Sequence, residues 1–120
     1  MASEASIQQH IRLALAQAGA KMFRNNVGQY IDPKTGRPIR YGVCNPGGSD
    51  LIGWCPVEVT PDMVGQTIAV FCAVEVKTEN GRPTEAQLNF IAQVLKAGGY
   101  AGIARSPGDA VATLRHKGLS

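Results

Sequence analysis

Three charged residues at the ends of predicted strands have types and spacing that could do chemistry. Glu75 and Lys77 end the most apolar stretch of the chain, and side-chain alternation along a strand puts both on one face, with Val76 directed to the opposite, packed face. Asp50 begins an earlier predicted strand. If a neighbouring strand brings Asp50 beside Glu75, two carboxylates are available to a hard divalent cation, and an ammonium is at hand for a proton or a negative charge. Such a group could hydrolyse a phosphodiester.

The apolar residues before Glu75 favour a metal site over an ordinary surface ion pair. An exposed Glu75–Lys77 pair would contribute only about 0 to 1 kcal/mol. The preceding residues of the same face, however, are Ala69, Phe71 and Ala73, which are typical of a buried strand. Charged groups at the end of such a strand need a partner that offsets their desolvation. A bound cation would supply that partner.

Helical periodicity, caps and turn residues predict the elements that must position these side chains. Their order is α-β-β-β-β-α-β-α. The first half is predicted to contain a helix capped by Ser3 and ended by Gly19, and a hairpin of residues 21–30 and 39–43 around a turn at 32–36. Strands follow at 50–54 and 67–77, joined by a connection with one helical turn at 61–63. The last elements are a helix from the capping box Thr84-x-x-Gln87 to Gly98-Gly99, a strand at 100–104 and a helix from Ser106 to Leu114.

This order indicates an α/β fold with a mixed central β-sheet flanked by helices. The strand at 67–77 is apolar on both faces until Glu75, so we expect it at the centre of the sheet. The chain has 120 residues and 44% hydrophobic content, which is the size of a single domain spanning residues 1–120.

Composition adds weaker constraints. No apolar run approaches the ~20 residues of a membrane span, and no secretory signal opens the chain, so we expect an intracellular, cytoplasmic protein. Cys44, Cys55 and Cys72 are interpreted as reduced thiols, with Cys72 in the core. The net charge of +3 slightly favours a polyanionic partner.

Motif elements follow one another along nearly the whole chain. They are Glu4-x-x-Ile7-Gln8, Arg24-Asn25-Asn26-x-Gly28, Gly47-Gly48-Ser49-Asp50-Leu51, Glu75-Val76-Lys77 and Gln87. Together they resemble the VRR-NUC (virus-type replication-repair nuclease) domain of the PD-(D/E)XK nuclease superfamily. A D…ExK pattern alone is weak, but these elements occur in the family's order and on the expected secondary structure. The long separation of Asp50 from Glu75 departs from the family and implies an extended hairpin around residues 56–66.

The resemblance implies a restriction-endonuclease-like core and a Mg²⁺- or Mn²⁺-dependent DNA endonuclease without an organic cofactor. Asp50, Glu75 and the Val76 carbonyl would hold the metal, with Glu4 as a further ligand, and Lys77 would act on the attacking water. Products with a 5′-phosphate and a 3′-hydroxyl are implied. Small members resemble phage or prophage proteins of replication and repair, so we expect a homodimer that acts on branched DNA such as flaps or Holliday junctions.

Three of the candidate site residues have structural alternatives. Glu4 lies on the helix stripe that faces the sheet, where a carboxylate suits a metal or water, but an acid in a first turn also stabilises a helix by its dipole. Gln87 is explained completely by its capping box, and in the family the matching glutamine orders the site. For Asp50, the alternative is a cap of the preceding turn.

Basic and amide side chains are candidates for contact with the DNA backbone. Arg24, Asn25 and Asn26 could donate to phosphate, although a polar strand end would look the same. Lys34, Arg37 and Arg40 lie near the tip of the predicted hairpin and could grip a backbone or simply be solvated. His10 and His116 are expected on the surface, and Trp54 in the core or an interface.

A catalytically inactive DNA-binding module is the alternative from another functional class. It would keep the fold without cleaving. The presence of Asp50, Glu75 and Lys77 argues against it, because a protein that had lost catalysis would be free to replace these costly charged residues.

Overall fold

This computed structural model describes residues 3–114, which contain short helices and strands joined by loops. They divide into a unit that ends at Cys55 and a unit that begins at Pro56. His116 lies outside the described residues. The elements are α1 (Glu4–Gln17), β1 (Lys21–Arg24), β2 (Gly28–Ile31), β3 (Pro38–Tyr41), β4 (Leu51–Trp54), a 3₁₀ turn (Pro61–Met63), β5 (Cys72–Val76), α2 (Glu85–Lys96), β6 (Tyr100–Ala104) and α3 (Pro107–Thr113).

Helix α1 forms where the caps predict it. The Ser3 hydroxyl accepts a hydrogen bond from the Ser6 amide, which satisfies one of the free donors of the first turn. At the other end Gly19 has φ of +99°, the left-handed conformation that commonly follows a helix. The helix packs on β1, but Ile7 stays about half exposed and Glu4 is exposed. The stripe predicted to face the sheet is therefore open to solvent at Glu4.

The strands of the first unit pair as two antiparallel ribbons. β1 pairs with β4, with Arg24 opposite Leu51, and β2 pairs with β3, with Tyr30 opposite Ile39. The hairpin around residues 32–37 is confirmed, but the single extended segment predicted over residues 21–30 is divided at 25–27. The Asn25 side chain bonds to a distant loop at this point, so the two halves of the segment turn to different partners.

The second unit is built on a parallel pair, β5 and β6, joined by α2. Strand β5 begins at Cys72, later than predicted, and among the described residues it pairs only with β6, so it is not a central strand. The ladder is short because β6 cannot start before Tyr100, directly after the glycines that end α2; the Tyr100 amide donates to the Phe71 carbonyl at 2.9 Å. The predicted helical turn at residues 61–63 is confirmed.

The two faces of β5 differ from the prediction. Ala73 and Glu75 lie on a half-buried face, and α2 packs on this strand. Val76 points to the opposite face and is 75% exposed, so its predicted packed position is wrong, and Cys72 on the same face is exposed rather than in the core. Helix α3 lies on that side but over β6, where Thr113 approaches Gly102.

The fold class is thus mixed α/β with short sheets. Among residues 3–114 the strands form three two-stranded sheets, where one mixed central sheet was expected. β4 pairs with β1 and β5 pairs with β6, so the extended hairpin predicted around residues 56–66 does not form between β4 and β5. No helix in the described part of the chain is long and apolar enough to cross a membrane.

Candidate active site

The carboxylate of Glu75 is in contact with one amide donor and one ammonium group. Its Oε1 atom accepts a hydrogen bond from Gln87 Nε2 at 2.8 Å and lies 3.2 Å from Lys77 Nζ. The side chain of Lys77 is 19% exposed and that of Glu75 32%, so the pair is partly desolvated. A half-buried ion pair with an additional amide donor has a more defined geometry than a surface pair in solvent.

Gln87 completes the predicted capping box and also contacts Glu75, because the two ends of its amide have different partners. Its Oε1 accepts from the Thr84 amide at 2.9 Å, and its own backbone amide donates to the Thr84 hydroxyl, which completes the capping box. The Nε2 group is left to donate to Glu75. The helix cap therefore fixes the direction of the amide that contacts the carboxylate.

A hydrogen-bonded loop connects Lys77 to α2. The Lys77 amide donates to the Ala104 carbonyl at 3.0 Å, which extends the parallel ladder past Glu75. Arg105 follows Ala104, and its Nη2 atom donates to the Gly81 carbonyl at 2.8 Å. Arg105 also donates its backbone amide to Asp109 Oδ2. Arg105, directly after β6, thus anchors the loop between Lys77 and Gln87, the two residues that contact Glu75.

A cleft in the first unit gathers three of the predicted site residues. It has a volume of about 400 Å³ and is lined by Glu4, Gln8, Arg12, Arg24 and Asp50, among others. Asp50 comes directly before β4 and is exposed. The cleft therefore combines two carboxylates with two guanidinium groups, a mixture that suits a cation and a phosphate close together.

Asn25 holds the backbone on both sides of the loop that leads to Asp50. Its Nδ2 group donates to the carbonyls of Val43 and Ser49 at 2.9 and 3.1 Å, and its Oδ1 atom accepts from the Val43 amide at 2.9 Å. Its own amide donates to the Asp50 carbonyl at 2.8 Å. The side chain that was a candidate for phosphate contact is thus engaged in shaping the fold around Asp50.

We expect Asn25→Asp to lower the free energy of unfolding by about 1 to 3 kcal/mol, because a carboxylate replaces the donor to two carbonyls while keeping the acceptor for Val43. Urea denaturation followed by circular dichroism measures this. Asn26→Asp is the matched control, since it makes the same change at the exposed neighbouring residue. Equal stability of the two variants would contradict the anchoring role of Asn25.

The remaining candidates for DNA contact are exposed. Asn26 follows β1, and Lys34 and Arg37 occupy the hairpin turn, where the Lys34 amide donates to Asp32 Oδ1 and the Arg37 amide to Thr35 Oγ1. Arg40 lies on β3 opposite Gln29. Their positions agree with either solvation or backbone contact.

Comparison with protein-family models shows whether the motif is a chance pattern or reflects membership of a family. The model of the VRR-NUC domain matches residues 3–107, nearly the whole described chain. The chain belongs to the VRR-NUC family. Comparisons with curated proteins and with solved structures give no match. Membership implies a nuclease of the PD-(D/E)XK type with DNA as its substrate, and the family generally uses divalent metals.

The donors available in this VRR-NUC chain fit a hard cation by their chemistry, because they are carboxylate and carbonyl oxygens. Within residues 3–114, histidine, cysteine and acidic side chains do not gather in a group of three or more that could hold an ion. Mg²⁺ does not require such a group, since it keeps several waters and often uses one or two carboxylates.

The sequence did not predict the positioning contacts of two residues. Asn25 was grouped with its neighbours as a phosphate donor, and Arg105 carried no motif. For Asn25 a signal existed in its type, because asparagine readily bonds to backbone groups of irregular segments. For Arg105 no sequence signal was available, because its partner Gly81 is brought near only by the pairing of β5 and β6.

Proposed function

We propose that this VRR-NUC chain is a Mg²⁺- or Mn²⁺-dependent endodeoxyribonuclease. Asp50, Glu75 and the Val76 carbonyl would hold the metal, with Glu4 as a direct or water-mediated ligand. The observation that supports this most is the contact of Glu75 Oε1 with both Gln87 Nε2 and Lys77 Nζ. Because both donors use Oε1, Oε2 is the oxygen of Glu75 that we assign to the metal.

The side chains divide the work of phosphodiester hydrolysis. When bound, a divalent ion polarises the scissile phosphate and lowers the pKa of a water molecule. Lys77 orients or deprotonates the attacking water and stabilises the negative charge that develops on the phosphate. Gln87 keeps the Glu75 carboxylate in one orientation, which reduces the reorganisation required during the reaction.

The DNA backbone would be held by the basic and amide side chains of the first unit. Arg24 lines the same cleft as Asp50, so it can reach a phosphate near that carboxylate. Asn26 and the hairpin cations Lys34, Arg37 and Arg40 would contact phosphates that lie further along the strand. We propose branched DNA, such as a flap or junction met during replication and repair, as the substrate, and the cytoplasm of a bacterium or phage-infected cell as the location.

Cleavage assays with a panel of DNA structures test this function. Duplex, single-stranded, flap and four-way-junction DNAs are incubated with the protein and Mg²⁺, Mn²⁺ or EDTA. We expect cuts in branched DNA with either metal, ends that carry a 5′-phosphate, and none with EDTA. Binding without cleavage under every condition would instead identify an inactive DNA-binding module.

We further expect a two-fold homodimer, which would put two sites on one branched substrate. The chain is short, and each described sheet has only two strands and therefore exposed strand edges that a partner could cover. Light scattering at micromolar concentration should give twice the 12.7 kDa mass of the chain. A monomer that still cuts junctions would contradict this assembly.

A further inference from the structure

Two tyrosines form an exposed aromatic pair on the β2–β3 hairpin. The ring centroids of Tyr30 and Tyr41 are 6.4 Å apart with the planes tilted by 39°. Tyr30 is 52% exposed and Tyr41 49% exposed. Large aromatic side chains usually bury most of their surface, so a pair that leaves half of each residue in solvent offers two flat apolar ring faces to a ligand.

The hairpin fixes the position of this pair. Tyr30 pairs with Ile39 and Tyr41 with Gly28, so the two rings are diagonal neighbours on one face of the ribbon. Any side chain at Gly28 would collide with the Tyr41 ring, which lies over the glycine. Asn45 Nδ2 donates to the carbonyls of both Gly28 and Tyr41, at 2.7 and 3.0 Å. The end of the hairpin that carries Tyr41 is therefore braced by a side chain from outside it.

The charges of the hairpin indicate what kind of ligand would lie on this area. Lys34, Arg37 and Arg40 carry three positive charges on the hairpin, against one carboxylate, Asp32, which accepts a hydrogen bond from the Lys34 amide. Lys34 and Arg37 lie in the turn that follows the strand of Tyr30, whereas Arg40 pairs with Gln29 and so lies on the face opposite the tyrosines. A second copy of the same surface would bring like charges together, which opposes self-association. A polyanion that also presents flat apolar rings satisfies both the cations and the tyrosines. Nucleic acid has this combination of properties.

We infer that Tyr30 and Tyr41 form a stacking platform for the bases of an unpaired DNA strand whose backbone is held by the turn cations Lys34 and Arg37. This inference rests on the proposed function and deepens it, because it assigns the recognition of branched DNA to a stated feature. Bases inside a duplex are already stacked on one another, whereas the bases of a flap or an open junction can stack on aromatic side chains. The platform therefore favours substrates with unpaired nucleotides.

Binding measurements with a fluorescent base analogue test the platform. A single strand containing 2-aminopurine and a blunt duplex of the same length are titrated in EDTA with the parent, Tyr30→Leu, Tyr41→Leu and the double variant. We expect each leucine to weaken single-strand binding about tenfold and to reduce the quenching of 2-aminopurine, because leucine has no π-face. Duplex affinity should change less than about twofold, since the cations that bind its backbone remain.

Two sets of variants separate stacking from other effects. Tyr30→Phe and Tyr41→Phe keep the rings but lack the hydroxyl groups, so both variants should retain affinity and quenching. A loss of either in the Phe variants would show that the hydroxyl group, and not the ring, binds the strand. Replacing Lys34, Arg37 and Arg40 together by alanine should weaken single-strand and duplex binding alike and reduce the salt dependence by about one unit of slope per lost phosphate contact.

The outcomes distinguish this inference from the function on which it rests. Leucine variants that bind and quench the single strand as the parent does would overturn the platform. So would light scattering that shows a dimeric parent and monomeric leucine variants, because the tyrosines would then form an interface between copies. If the parent binds no DNA here and cuts none in the cleavage panel, the proposed function itself is wrong.

Discussion

Asp50→Asn and Glu75→Gln should each reduce DNA cleavage by at least about 10³-fold while the protein stays folded. Each substitution removes one negative charge from the proposed metal site, which has few other charged ligands, and a bound ion would provide several kcal/mol of transition-state stabilisation. Asp50 holds Asn25 through its backbone carbonyl, which the substitution leaves in place. Glutamine at position 75 keeps an oxygen that can accept from Gln87.

Isothermal calorimetry with Mn²⁺ measures the metal site independently of cleavage. We expect Mn²⁺ binding to be weakened in both variants in parallel with activity. Glu85→Gln is the matched control, because it makes the same chemical change at an exposed acid in the first turn of α2. Its Mn²⁺ affinity and cleavage rate should match those of the parent.

A cost in stability must be separated from the loss of metal. Glu75→Gln leaves the Lys77 ammonium, which is only 19% exposed, without its counter-charge. Because Lys77 is mostly buried and Glu75 is about one third exposed, we expect this to lower the free energy of unfolding by about 1 to 3 kcal/mol, between the values typical of exposed and of buried pairs. If both variants are folded and still bind Mn²⁺ as the parent does, the assignment of Asp50 and Glu75 as ligands is wrong.

Local signals in the sequence predicted the helices well. The caps at Ser3 and Thr84 and the glycine after α1 act within one helical turn, so their effect does not depend on the rest of the fold. The hairpin turn at residues 32–37 is local in the same way, since Asp32 accepts from the Lys34 amide two residues on.

The lengths and faces of the strands could not be read from local signals. The run from Ile68 to Val74 has the composition of a buried strand, yet β5 extends only as far as β6 offers a partner. Alternation correctly put Glu75 and Val76 on opposite faces, but it cannot say which face a helix will cover. Here α2 packs on the strand on the side that carries the charge, and its capping glutamine reaches back to Glu75.

The sequence predicted the residues of the candidate site better than the contacts that position them. The family resemblance pointed to Glu75, Lys77 and Gln87, and the structure shows direct contacts among them. The hydrogen bonds of Asn25 and Arg105 join residues that are distant in sequence, 18 and 24 positions apart for the contacts to Val43 and Gly81. Such contacts form only once the chain has folded, so the sequence does not identify the partner residues.

Lys77→Ala should lower the single-turnover rate of cleavage by roughly 10²-fold or more while DNA affinity changes little. An ammonium that acts on the attacking water and on the developing charge contributes in the transition state and much less in the bound ground state. Lys77 Nζ lies 3.2 Å from Glu75 Oε1, so its removal also takes a positive charge away from the proposed metal ligand. Mn²⁺ should therefore bind Lys77→Ala at least as tightly as the parent, because less positive charge opposes the ion.

This combination distinguishes a catalytic lysine from a structural counter-ion. Single-turnover rates at saturating enzyme, DNA affinities in EDTA and Mn²⁺ calorimetry are measured on the same preparations. Lys96→Ala, in the last turn of α2, removes an exposed positive charge from the same unit and should leave all three quantities at parental values. A rate for Lys77→Ala that equals the parent's, or one that falls only in proportion to lost Mn²⁺ binding, would show that Lys77 takes no direct part in the chemistry.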